Sequence, residues 1–383
     1  MTRARFAAVA LLALGALTGC ASATARRLDD STAPVHPAGI VQIAWRVSLH
    51  DHGLFEPAPE ECASGVLANG RFVIGSRAAN LVGVAPDTGQ IEWVRGVSGG
   101  VDSEARFDAA RGQVYIGADD GSFYAVDPKT GVIRWTYRGK GAIERPVDIG
   151  GDLVYVTTAS DRVVALEAAT GKWRWQYERD MPEGFTIHGY AGARLRGDRL
   201  LAGFADGYLV SLAAATGEVV WAKSLAAASE QFVDVDTTPA FGPKGDVTYV
   251  SSYSGGLYAL DTRDGSVRWR LNIEGAGDVT ASAGRLYFVA PRFGLHAAHP
   301  EGHVLWRQGL SEAGALTHPM VIGEYLVFSG SRAGMFVVNG STGELLEIFN
   351  PGHGVCASPT WDPVSQRLFV LSNGGSLYAL NLN

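Results

Sequence analysis

Three cysteines, two aspartates and a His-Asp-His triplet are the side chains of this 383-residue sequence whose types and spacing could do chemistry. Cys62 opens Cys62-Ala-Ser-Gly65 and Cys356 opens Cys356-Ala-Ser-Pro359, so two thiols occupy the same local frame at opposite ends of the sequence. In an oxidising compartment such a pair can form a disulfide; the alternative is two free buried thiols. Asp234 and Asp236 lie in Asp234-Val-Asp-Thr-Thr-Pro239. Two carboxylates spaced this way can meet basic groups on a partner, or they can merely cap turns. Upstream, Phe185-Thr-Ile187-His188-Gly189 sets apolar side chains and an imidazole in a turn-rich connection. His50-Asp51-His52 is a weak set of metal ligands. A Gly-x-Ser-x-Gly elbow, a His-Glu-x-x-His pair and a glycine-rich phosphate loop are absent from the sequence, and the residues imply no cofactor and no metal centre.

The elements that position these groups are repeats. Gly121-Ser-Phe-Tyr-Ala-Val-Asp-Pro-Lys-Thr-Gly-Val-Ile-Arg-Trp135 reads as strand, turn, strand. One hairpin cannot bury its own apolar face, so it needs neighbours. The pattern Ala-x-Asp-x-x-Thr-Gly-x-x-x-Trp recurs, with Trp at 45, 93, 135, 175, 221, 269 and 306, at intervals of 48, 42, 40, 46, 48 and 37 residues. Thr342-Gly343 marks one further repeat, in which Glu347 holds the Trp position. A strand-rich period of this length is that of a β-propeller blade. No repeat Trp is followed by Asp, which separates the pattern from the WD type.

The repeats predict an all-β chain: an eight-bladed β-propeller of four-stranded antiparallel blades. Gly374-Gly-Ser-Leu-Tyr-Ala-Leu-Asn381 is a half repeat lacking its Trp strand, and Val41-Gln-Ile-Ala-Trp45 is a Trp strand with nothing before it. The N-terminal strand is therefore expected to join the C-terminal blade and close the ring, removing exposed edges. In blade three the strands are expected at Arg145–Ile149, Asp152–Thr158, Arg162–Glu167 and Lys172–Glu178. The Trp residues read as wedges between blades. Function on such a scaffold belongs to its irregular loops. The connections after blades three and four are equivalent, so Phe185, Ile187 and His188 should share one face of the disc with Asp234 and Asp236.

The net charge is −7, from 32 basic and 39 acidic residues, and no basic stripe occurs, which argues against a nucleic-acid partner. Residues 1–19 read as a signal peptide: Arg3 and Arg5 precede an apolar run from Phe6 to Leu17, too short to span a bilayer comfortably. It ends at Leu17-Thr18-Gly19-Cys20, which looks like a bacterial lipobox whose Cys20 is diacylated; the alternative is a plain secretory signal. Residues 20–39, rich in Ala, Ser, Thr and Pro, read as a flexible tether, and 40–383 as the propeller.

The repeat resembles that of the PQQ-like β-propellers. Within them, the lipobox, the eight-blade layout and Asp234-Val-Asp-Thr-Thr-Pro239 resemble the BamB lipoproteins of the outer-membrane β-barrel assembly machinery. That resemblance implies a non-enzymatic scaffold, lipid-anchored at the periplasmic face of the outer membrane, as the lack of Asp after Cys20 also suggests. It implies binding to the POTRA domains of BamA, contact with other assembly subunits, and possible contact with unfolded outer-membrane proteins. The family's contact positions fall on Phe185, Ile187, His188, Asp234 and Asp236, with His188 where the family carries Arg. The rival reading is a PQQ-dependent dehydrogenase, whose adjacent cysteine pair and acidic cation cage have no counterpart here; a third is another periplasmic scaffold of the same repeat.

If Cys20 is the lipidated residue, Cys20→Ala should abolish labelling by radioactive palmitate and leave the precursor unprocessed. Labelling unchanged in that variant would exclude the lipobox.

Overall fold

The computed structural model describes residues 39–49, 60–180, 191–226, 232–310 and 312–383. The strands coincide with the β-branched and aromatic runs, and they form eight sheets of four antiparallel strands each. Blades one to seven span 66–96, 106–138, 148–178, 194–224, 240–271, 280–308 and 320–349, and blade eight combines 360–382 with Val41–Ser48. In each blade, strands A to D run from the axis to the rim. The chain therefore places the A–B and C–D turns on one face, the turn face. The B–C turns and D–A connections lie on the other, the connection face.

Burial follows from this stacking. In blade two, strands Gln113–Gly117 and Ser122–Val126 are buried at every residue, because both faces of the sheet meet a neighbouring blade. The outer strand Ile133–Arg138 alternates between half-buried and exposed. The apolar core thus lies in the gaps between blades. Between blades eight and one, Phe72 stacks on Phe369 at 4.5 Å between ring centroids, within a cluster that includes Ile74, Val82 and Leu371.

One lock recurs at these gaps. Every C–D pair carries a bulge next to the Trp position, the kind of irregularity that re-aims a side chain. The residue opposite each Trp is small: Ala379, Gly83, Ala125, Ala165, Ser211, Ala259 and Ala297. The indole reaches across to the C–D turn of the next blade and lies against its glycine: Trp45 on Gly89, Trp93 on Gly131, Trp135 on Gly171, Trp175 on Gly217, Trp221 on Gly265, Trp269 on Gly302 and Trp306 on Gly343. Six of these indoles donate Nε1–H to a carbonyl of that same turn, Trp135 to Ala168 at 3.1 Å for example. The Trp306 N–H is buried without a partner.

The eighth gap, between blades seven and eight, has neither half of the lock. Glu347 stands opposite Val337 in the Trp position. Blade eight has no C–D turn to receive an indole, because Ser376–Leu382 and Val41–Ser48 are joined by pairing alone. Instead Glu347 Oε2 accepts the Val41 N–H at 3.2 Å, and the Asn383 N–H donates to the Ile40 carbonyl. Across the next gap, a disulfide joins Cys62 to Cys356, with Cα atoms 5.0 Å apart and a sequence separation of 294. A loop that long gives, on the chain-entropy argument, a stabilisation of about 6 kcal/mol.

The innermost strand of blade three differs from its sequence-based placement. It is Asp148–Gly150, three residues paired with Leu153–Tyr155. Pro146 has no N–H to give a ladder, and Arg145 belongs to the connection.

The locks predict a sharp contrast between two glycines. Gly171 has φ +72°, and a Cβ there would come within 2.4 Å of the Trp135 ring; Gly151 has φ +57° and open space around it. Gly171→Ala should destabilise the propeller by about 2–4 kcal/mol from left-handed strain plus overpacking, and Gly151→Ala by about 1–2 kcal/mol from strain alone. Chemical denaturation of both variants measures the difference; equal losses would refute the lock.

Candidate functional site

The stretch Phe232–Pro239 crosses the connection face from the rim to the axis and is pinned by its backbone. Phe232 and Asp234 carbonyls accept the N–H groups of Ser254 and Tyr253, the B–C turn of blade five. Val235 N–H donates to the Phe204 carbonyl of blade four. Thr237 Oγ1 donates to the Ser251 carbonyl and accepts its N–H, and Thr238 N–H donates to Asp278 Oδ1 at 2.7 Å. The path of the stretch from rim to axis then sets how deep each side chain lies. Asp234 is 2% exposed. Asp236 is partly exposed and lines the axial cavity. Phe232, at φ +56°, is 41% exposed and meets Tyr253 edge-on at 6.1 Å.

The axial cavity has a volume of about 1210 Å³ and opens among the innermost strands and the connections. Its charged lining consists of six carboxylates, Asp102, Glu104, Glu144, Asp161, Asp236 and Asp278, with four arginines, Arg77, Arg106, Arg145 and Arg194. Burial dominates the titration of this wall. It pushes Asp236 up to about 6, against the pull of Arg145, with Asp278 and Asp234 adding to the rise. Burial likewise pushes Asp161 up to about 6, although its carboxylate accepts the Ala205 N–H at 3.0 Å. Asp102 and Glu144 are also raised by burial, Asp102 despite its ion pair with Arg77. Six carboxylates against four arginines leave the wall net negative once the raised carboxyls ionise, and a cationic group at its mouth would then be stabilised.

Asp234 and Asp236 thus come together with Arg145, in the connection between blades two and three, and with Asp161, in the B–C turn of blade three. Phe185, Ile187, His188, Cys20 and His50-Asp51-His52 lie outside the described residues. The connection after blade three is anchored at its start by Arg179, which pairs with Asp206 and lies over the Tyr208 ring at 4.2 Å, and at its end by buried Ala191 and Ala193. Sequence reasoning missed Arg145, Asp161 and Phe232. Arg145 was hidden inside an apparent strand. Asp161 carries one detectable signal, as an Asp in a tight B–C turn, where it adopts φ +51°. Glu60 lies beside Cys62 and Cys356, but both sulfurs are spent in the disulfide, so this trio is not a metal centre.

Comparison with known proteins bears on this geometry. A family model described as "Outer membrane protein assembly factor BamB" matches residues 42–184 and 102–301. A protein of that name from Legionella pneumophila is 30% identical over 192 residues, 49% of each chain. One from Vibrio cholerae is 27% identical over 357 residues, 88% of each chain. The matched stretch spans about half the length of the Legionella relative and 61% of one from Yersinia pestis. The crystal structure of BamB from Moraxella catarrhalis superposes with a TM-score of 0.75 at 23% identity, covering 89% of this chain and 99% of that one. Quinohemoprotein alcohol dehydrogenase from Comamonas testosteroni superposes at 0.68 with 14% identity, covering 89% and 76%. At those identities the structural likenesses show the fold alone.

The raised carboxyls predict a pH signature. The folded protein holds the Asp161 proton up to about pH 6, while an unfolded chain releases it near 3.8. Native stability is therefore lost as pH rises through that window. Asp161→Asn keeps an oxygen for Ala205 and should stabilise the protein at pH 7.5 by at most about 3 kcal/mol. The gain should fade to nothing near pH 4 in thermal melts. A gain independent of pH would place its origin elsewhere.

Proposed function

The chain belongs to the family described as outer membrane protein assembly factor BamB, and from that premise we propose that it is a lipid-anchored, non-enzymatic scaffold of the outer-membrane β-barrel assembly machinery. In this reading it is held at the periplasmic face of the outer membrane through Cys20. It binds the POTRA domains of BamA with its connection face, in company with other assembly subunits, and assists the folding and insertion of outer-membrane proteins. The relatives' shared name, assembly factor, is that of a non-catalytic role.

The observation that carries the proposal is the pinned Phe232–Pro239 stretch, which presents an exposed aromatic ring and a carboxylate on one face without freedom to rearrange. A partner then loses little ordering entropy on the propeller's side. Phe185 and Ile187 supply apolar area to the same surface, and His188 a group that is cationic only at mildly acidic pH. Asp236 is the carboxylate a basic partner group can reach. Asp234, buried beneath, shapes the stretch and adds to the field at the cavity mouth.

Ile187→Glu should weaken binding to purified BamA POTRA domains at least tenfold, about 1.4 kcal/mol or more, because it adds an unpaired charge to a desolvated centre. Asp236→Arg should weaken it by reversing the complementarity. Both variants should melt no lower than the parent. Undiminished affinity in both folded variants would remove this face from the interaction.

A further inference from the structure

On the turn face, far from the connections, blade six departs from the repeat in a way the assembly role does not use. In blade two the C–D turn places four residues, 128–131, between Asp127 and Val132, and the Asp127 carboxylate caps the amides of Lys129 and Thr130. In blade six the turn is His299-Pro-Glu-Gly-His303, one residue shorter, with Gly302 at φ +90°. The shorter turn pairs His299 directly with His303 across the ladder. Cross-strand partners project to the same side of a sheet, and the two imidazoles stack with centroids 4.7 Å apart and planes 17° from parallel. His299 is 40% exposed, and His303 is exposed too, so neither ring packs into a core.

We propose that the His299–His303 pair binds a borderline divalent transition metal ion of the copper, nickel or zinc class. Imidazole nitrogen is the preferred neutral ligand for these ions, and the hairpin pairing already holds the two side chains side by side. Rotation of the two solvent-facing rings out of their stack would turn both Nε2 lone pairs onto one ion, with water completing the coordination. His299 Nδ1 now accepts the Glu301 N–H at 3.2 Å, and the Glu301 carboxylate lies 3.6 Å from the same nitrogen. When the ion takes Nε2, its proton moves to Nδ1, which then gives up the Glu301 N–H to water and donates to the Glu301 carboxylate instead. That is the carboxylate–histidine–metal arrangement that fixes a tautomer and strengthens the ligand. The other imidazole on this strand, His296, is buried and stacked on Phe288, so it takes no part.

The test is calorimetric titration of the full, untagged chain with copper(II) chloride in a non-chelating buffer. The parent should bind one saturable equivalent that depends on the hairpin. His299→Asn and His303→Ala should each weaken it at least tenfold, and Glu301→Gln by about 10- to 100-fold. His353→Ala, on the opposite face, should leave it unchanged. Asn is chosen at 299 because Asn339 caps the equivalent turn of blade seven, accepting the Ser341 N–H at 2.9 Å, so the hairpin keeps its fold. Absence of any saturable equivalent, or an equivalent that survives both histidine substitutions, overturns the proposal. Unchanged affinity in Glu301→Gln overturns the part given to the carboxylate.

Discussion

The ring rests on one contact made seven times, an indole laid against a glycine of the next blade. Each partner in it constrains a different part of the sequence. The indole needs a small residue opposite it on its own sheet, which explains the recurring Ala, Gly or Ser two positions before the turn. The glycine must have positive φ and no Cβ, which fixes the end of the turn. The indole N–H needs a carbonyl, which the turn supplies. A single repeat therefore encodes both its own hairpin and its docking onto the next one. That consistency between local and global preference is what lets eight imperfect copies close into one structure.

Much of this was legible from residues alone. The spacing of Trp45 to Trp306 counted the blades, and Glu347 marked the one gap without a lock. The orphan strand around Trp45 pointed to the closure seen between Val41–Ser48 and Ser376–Leu382. What Glu347 does could not be read, because its partner is the backbone of Val41, more than 300 residues away. The candidate site was legible in outline only. Asp234 and Asp236 are chemically identical in sequence, and only the path of the pinned stretch across the face leaves one buried and brings the other to the cavity. Arg145 looked like strand until Pro146 and the short ladder at Asp148 placed it in the wall. The perturbed titration of Asp161 depends on the depth of a cavity assembled from several blades, a quantity no local window contains.

The two faces divide the work. The turn face is repetitive, because each of its C–D turns must receive an indole. The connection face is free to vary, and it holds the long connections, the disulfide and the charged cavity mouth. The raised carboxyls there are a local cost to stability at neutral pH, carried by a ring whose locks lie elsewhere. A scaffold with that separation can accumulate new side chains on one face without loosening the contacts that hold the other.

The pairing of Val41–Ser48 with Ser376–Leu382 also sets an order of events. A polypeptide that crosses a membrane or leaves a ribosome from its N-terminus presents Val41–Ser48 before the other strands, yet that strand finds its partner only when Ser376–Leu382 emerges. The hydrogen bond from Asn383 to Gly39 spans 344 positions in the chain. Until then both edges of the strand are open, and Ile43 and Trp45 have no sheet to join. A product cut short by even its last dozen residues would lose the lid of its own ring. Closure of the ring is thereby coupled to arrival of the strand Ser376–Leu382, and a chain truncated before it would betray itself to proteases by the strand it could not place.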